Sequence, residues 1–294
     1  MPGKQNSCFP HARRALGCRK INVVSKYWHA LNIGIQNNLT YRINFLARAL
    51  FGLIPLTAVI FLWRTIYASR VEQGDAPVIS SYTLAEMISY YLLVTAVDAL
   101  TAVNEDDWQI AADIKDGNIS QFLLKPVDYL WFRFSLFISG RITYLAVAAI
   151  PLALFFFWLR DYFVLPADAF TFGCFLLSVV LTAVLQFFLS YMMAMLAFWV
   201  LEVSTFIFIL YAFEYIASGH LFPLDILPAG LERALYFTPF PYQLYFPVGI
   251  YMGKVTGAEL ARGLLIQTGW LLIAYGLARF AWHRGLKKYS AAGG

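Results

Sequence analysis

Few side chains in this 294-residue chain are spaced to do chemistry, and their spacing excludes most of it. No Gly-x-x-x-x-Gly-Lys-[Ser/Thr] run is present. The nearest fragment, Gly253-Lys254-Val255-Thr256, lacks the first glycine, so the chain has no phosphate-cradling loop of that kind. There is no His-Glu-x-x-His and no Cys-x-x-Cys. The three cysteines, Cys8, Cys18 and Cys174, are too scattered for a metal site or a disulfide framework. Ser218-Gly219-His220 sets a hydroxyl close to an imidazole, but near-adjacent residues cannot complete a triad by themselves. His220 and Asp225 have a spacing at which an aspartate can orient a histidine base, yet the residues between them are apolar. Asp98 and Glu214 are different, because each lies inside an apolar stretch. An ionisable group there costs roughly 2.5–3.5 kcal/mol on insertion scales, so it marks a polar pathway, a proton carrier or a buried pair. Both meanings stay open: Asp98 hydrated near an interface or on a pathway, Glu214 on a pathway or paired at a subunit seam.

The elements that hold these residues follow from composition. The chain is 60% apolar and 13% charged, with a mean hydropathy of +0.64. Soluble domains run about 45–50% apolar and about 25% charged. A soluble enzyme and a disordered regulator are therefore excluded, and an all-α polytopic membrane protein is expected. Six stretches are apolar enough to cross a bilayer: about 44–66, 83–103, 136–159, 170–199, 203–219 and 262–282. The second is the least apolar, with Glu86 near one end and Asp98 near the other. Arg141, at the start of the third, reads as an interface anchor. The net charge of +5 gathers at the ends rather than in a nucleic-acid-binding face: residues 1–48 hold eight Lys/Arg and no acid, and residues 279–294 hold four and no acid. With both termini on one side, that side carries 16 Lys/Arg and the other 6, which assigns both termini to the cytoplasm. Residues 1–22 read as a basic cytoplasmic tail, 23–288 as the membrane domain and 289–294 as a short C-terminal tail.

Three further segments have distinct patterns. Over 23–39, Val24, Tyr27, Trp28, Leu31, Ile35 and Leu39 recur at helical spacing, which predicts a helix lying in the inner interface. The 104–130 loop holds six acids against two bases. It predicts a short helix from Asp106 or Asp107, stopped by Gly117, and a second one ending before Pro126. The 219–260 segment, with Pro223, Pro228, Pro239, Pro241 and Pro247 among aromatics, is too apolar for a free loop and too broken for a span. Short helices dipping into the outer leaflet are expected.

The order of these elements, and two motifs within them, resembles the membrane subunit of type-2 ABC transporters, in its six-span bacterial branch. The first motif is Asp113-Ile114-x-x-Gly117…Leu123-Leu124-Lys125-Pro126-Val127. The second is Gly219, Phe222-Pro223-Leu224, Leu227-Pro228 and Pro239-Phe240-x-Tyr242. The resemblance implies a permease without its own ATPase site, in the bacterial cytoplasmic (inner) membrane, and it implies export. A separate ABC ATPase subunit would carry ATP and Mg²⁺, and a second permease copy or paralogue would complete the pathway. It also implies that Trp108, Ile110, Asp113, Ile114, Gly117 and Leu123–Pro126 form the surface that couples to the ATPase. Ile110, Ile114 or Leu123 would supply apolar anchors, and the seam would run along the first and fifth spans. Two rivals remain: a proton-coupled secondary transporter using Asp98 and Glu214, and a membrane-embedded enzyme. The first would more naturally show inverted repeats, and residues 26–160 and 170–288 show no such self-similarity.

Overall fold

A computed structural model describes residues 23–103, 106–200 and 202–289. The tail over 1–22 and Glu105 of the acidic run lie outside the described residues. The chain opens with α1 (Val23–Thr40), followed by the long α2 (Arg42–Glu72). A two-stranded antiparallel ribbon, β1 (Val78–Ile79) and β2 (Tyr82–Thr83), comes next, a minor element of two residues per strand in an all-α membrane fold. Then follow α3 (Leu84–Thr101), α4 (Asp106–Lys115), α5 (Ile119–Leu123) and α6 (Tyr129–Trp158). Next is α7 (Ala169–Ala194), extended by a tight turn over Met195–Phe198, and then α8 (Ser204–Ala217). α9 (Ala229–Leu235), α10 (Tyr245–Tyr251) and α11 (Gly257–Lys288) complete it.

Five of these helices are long and apolar enough to cross a membrane: α2, α3, α6, α7 with its extension, and α11. The stretch expected as the fifth of six spans is the 14-residue α8. At 1.5 Å per residue it reaches about 21 Å, short of a core of about 30 Å. The reason lies beyond its end. The chain turns at Gly219 and folds back into the bundle, and every residue of α10 is buried. Irregular backbone survives at such depth only where protein satisfies it, and α3 does much of this. Ser89 donates to the Tyr162 carbonyl at 2.5 Å and accepts from the Val164 N–H at 2.8 Å. Tyr90 donates to the Gly219 carbonyl at 2.5 Å, and Tyr91 to the Leu221 carbonyl at 2.8 Å. Three consecutive residues thus tie down two irregular segments. This accounts for the helix that is least apolar being the most enclosed: more than half of the apolar stretch of α3 is buried, whereas most of α2 and α11 faces outward. From the other side, Gln267 of α11 donates to the Tyr242 carbonyl at 3.0 Å, beside Ser178 and Thr182 of α7.

The first turn of α3 departs from the simple reading of acids inside a span. Glu86 closes a capping box: its carboxylate accepts the Thr83 N–H at 2.8 Å, and the Thr83 hydroxyl accepts the Glu86 N–H. The α1 helix forms as expected. Ala30 and Gly34 are buried, while Trp28 and Leu39 are exposed. Small residues let the α1 backbone approach α6 closely, and the half-buried Tyr27 accepts the Asp128 N–H at 3.2 Å. The side chain of Val24 lies outside the described residues.

Candidate functional site

Two features sit where function is expected: a helix-turn-helix at one end of the bundle and a polar cavity inside it. The first is α4, the Gly117 turn and α5. α4 is amphipathic, and its apolar face meets the protein's own core. Ile110 and Ile114 are buried with Ile119, Tyr129 and Leu130. They cannot serve as anchors reaching into a partner, as the sequence suggested. The apolar side chains left outward are Trp108, Leu123 and Leu124, the last 89% exposed. Asp113 also faces inward. Its carboxylate accepts from Tyr129 at 2.7 Å and pairs with the buried Arg133 guanidinium, and Arg133 in turn donates to the Tyr129 hydroxyl at 2.9 Å. Gly117 has φ +77°, the left-handed geometry expected of a helix stop, and its carbonyl accepts from Tyr289 at 2.9 Å. Lys125 lies over the Phe122 ring at 5.3 Å, and the Pro126 carbonyl accepts from Lys26 of α1 at 2.8 Å. Asp128 caps α6 and pairs with Arg279 of α11 at 2.6 Å. The unit is thus tied to α1, α6, α11 and the segment after α11, and offers Leu123 and Leu124 outward.

The second feature is a cavity of about 290 Å³ lined by Asp98 of α3, Gln186 and Ser190 of α7, Tyr211 and Glu214 of α8, and His220. Asp98 and Glu214, far apart in sequence, therefore share one space. Gln186 donates to Glu214 at 3.1 Å, and the His220 ring lies on Tyr215 with centroids 4.3 Å apart. Asp225 is elsewhere: its carboxylate accepts from Ser81 at 3.1 Å. The His220–Asp225 spacing thus builds no base. Among the described residues, no group of three or more His, Cys, Asp or Glu is placed to hold a metal.

A contact invisible in the sequence joins the two features. Tyr211, one turn before Glu214 on α8, donates to the carboxylate of Asp107, which is buried at the start of α4. Just before α8, exposed Glu202 accepts the Ser204 N–H at 3.1 Å. The Ser204 hydrogen bonds, helped by Lys115, hold its carboxyl below the usual range. α8 is therefore pinned to α4 through Tyr211 and to α7 through Glu214. Tyr211→Phe removes a donor to a buried charged group and should destabilise the protein by about 1.5–3 kcal/mol. Thermal unfolding in detergent reads this directly, and an unshifted midpoint would mean that the contact contributes nothing.

The outer motif is also placed. Gly219 has φ +86° beneath Tyr90. Phe222 is half-buried, and the buried Pro223 opens the turn Leu224–Ile226. Leu227 and Pro228 lead into α9, Pro239 opens the turn Phe240–Tyr242, and Tyr242 is buried.

A bundle of long apolar helices, with a broken segment buried within it and polar groups facing an internal cavity, defines a multi-pass membrane permease. A family model described as ABC-2 family transporter protein matches residues 53–293, and the chain belongs to that family. Its members are non-catalytic permeases, and this chain is a transport protein rather than an enzyme. No curated protein matches it.

Proposed function

We propose that the chain is the membrane-spanning subunit of an ATP-driven exporter whose ATPase is a separate polypeptide. In this reading α8 and the buried segment after it together make the sixth crossing. Both termini and the α4–α5 unit face the cytoplasm of a bacterial inner membrane. ATP and Mg²⁺ are held by the ATPase, and a second permease copy or a paralogue completes the pathway across a seam along α2 and α8. Asp98 and Glu214 line that pathway.

The observation that carries the reading is the construction of the α4–α5 unit. Its inner face is locked into the bundle by Asp113, Ile110 and Ile114, while Leu123 and Leu124 project outward. A surface that is both rigidly seated and apolar at its tip suits a partner that pushes on it, since buried apolar anchors carry interface affinity and rim charges tune association. Force on α4 would reach the cavity through Asp107 and Tyr211.

The test uses two substitutions that leave the inner face intact. Leu124→Asp places a charge on the most exposed apolar side chain of the unit. Gly117→Val forces a β-branched residue into a left-handed turn, at about 1–2 kcal/mol, and misplaces α5. Both variants should insert normally, retain less co-purified ATPase and transport more slowly than wild type. Wild-type retention and transport by both would remove the coupling role. The acids of the cavity favour one other reading, proton-coupled transport. Transport by the purified chain driven by a proton gradient without ATP would establish it instead.

A further inference from the structure

The largest cavity described lies at the other end of the bundle, between α9 and the first turns of α11, with a volume of about 660 Å³. That is within the range of about 300–1,000 Å³ typical of small-molecule sites. Its wall along α11 runs Arg262, Ile266, Trp270 at four-residue spacing, a single helical face about 12 Å long. That face passes from a cation at the end of the helix to an aliphatic and then an indole side chain deeper in. Phe246 of α10 completes the apolar floor, and Arg233 of α9 adds a second cation at the mouth.

The charges at the mouth are not spent internally. Among the described residues, neither Arg233 nor Arg262 has a carboxylate within ion-pair distance, although Glu259 shares the lining. The other cations at this end are engaged. Arg70 pairs with Asp75 at 3.6 Å, and Arg160 pairs with Asp161 and lies over Phe157. Lys254 donates to Ser81 at 2.7 Å and sits over the Tyr82 ring, and its burial lowers its pKa. Two arginines against one glutamate leave the mouth of the cavity with a net charge of +1. Beside it, Phe237 is 83% exposed, as an aromatic at headgroup level would be.

We infer that this cavity binds an anionic phospholipid of the leaflet facing away from α4 and α5, its headgroup phosphate held by Arg233 and Arg262 and its upper acyl chain lying against Ile266, Phe246 and Trp270. Guanidinium groups meet phosphate oxygens in bidentate pairs. Two arginines brought together at the mouth from α9 and α11 are costly beside hydrocarbon unless an anion answers them. The apolar floor gives the site its preference for an amphiphile, since a free phosphate would leave that floor uncovered. The inference does not depend on the direction of transport or on the ATPase.

The experiment is native mass spectrometry of the full chain released from detergent with added phosphatidylglycerol, phosphatidylcholine or glycerol phosphate. Wild type should retain phosphatidylglycerol in preference to phosphatidylcholine and ignore glycerol phosphate. Each arginine is worth about fivefold at a membrane surface, so Arg233→Gln with Arg262→Gln should weaken phosphatidylglycerol retention about thirtyfold. Glu259→Gln should strengthen it, a gain that a misfolded variant would not produce, and Trp270→Ala should weaken both lipids alike. Equal retention of the two lipids by wild type would overturn the proposal, as would an unchanged preference in the double arginine variant. Displacement of the lipid by glycerol phosphate would show a bare anion site and overturn it equally.

Discussion

Arg133→Met should unseat α4 and destabilise the protein by about 3–5 kcal/mol, the cost of leaving one member of a buried ion pair alone. Arg133 is turned inward from the first two turns of α6, with its side chain 7% exposed, and its partner Asp113 is 18% exposed. It also supports the Tyr129 hydroxyl, and the Tyr129 ring stacks on Trp282 of α11 with centroids 5.1 Å apart. One guanidinium therefore joins three elements. Removing the carboxylate as well should recover part of the loss, because Asp113→Asn no longer leaves a buried charge. The double variant is expected to lie about 0.5–3 kcal/mol above the sum of the singles. Thermal unfolding of the four proteins in one detergent measures the cycle. Additive singles would mean that the Arg133–Asp113 pair contributes nothing to holding α4.

Gly219→Ala should be nearly as damaging. At φ +86° any side chain is strained, by about 1–2 kcal/mol. An added Cβ would also lie 2.6 Å from the Tyr90 hydroxyl and 3.0 Å from the Tyr245 Cβ. Tyr90 is buried and holds the Gly219 carbonyl, so it cannot swing away without leaving that carbonyl unpaired. With overpacking at about 1–3 kcal/mol, the total is roughly 2–5 kcal/mol. Tyr90→Phe removes the closest atom. The double variant should thus unfold at a higher temperature than Gly219→Ala alone, although Tyr90→Phe by itself costs about 0.5–1.5 kcal/mol. If Tyr90→Phe gives no relief, the damage comes from the backbone geometry and not from the clash.

All five long helices are legible as apolar runs, because a stretch of that length and composition has few ways to be buried. Their ends are less so. α6 begins at Tyr129, well before the apolar run expected from about 136, because Arg133 is drawn inward by Asp113 rather than left in a loop. The length of α8 is not legible, since nothing in the run 203–219 says that α3 and α11 hold a folded-back segment above it. The amphipathic pattern of α4 was readable, yet a pattern gives the face and not the surface it meets. Ile110 and Ile114 thus passed for partner anchors when they are core. Asp98 and Glu214 are each singled out by their cost in an apolar environment, but only the packing of α3 and α8 on α7 brings them to one cavity. The Tyr211–Asp107 contact left no mark, because a tyrosine in an apolar helix is as ordinary on a lipid face as against a carboxylate.

The segment that folds back after Gly219 also bears on how the molecule is built. Its carbonyls are answered by groups of very different age in the growing chain. Tyr90 and Tyr91 are in place long before Gly219 and Leu221 are made. The Tyr242 carbonyl takes hydrogen bonds from Thr182, already made, and from Gln267, still to come. α8 is too short to be released into lipid as a finished crossing, and the backbone that follows it has no complete set of partners until α11 arrives. That half of the bundle is consequently closed from the C-terminal end, and the last helix synthesised acts as its keystone.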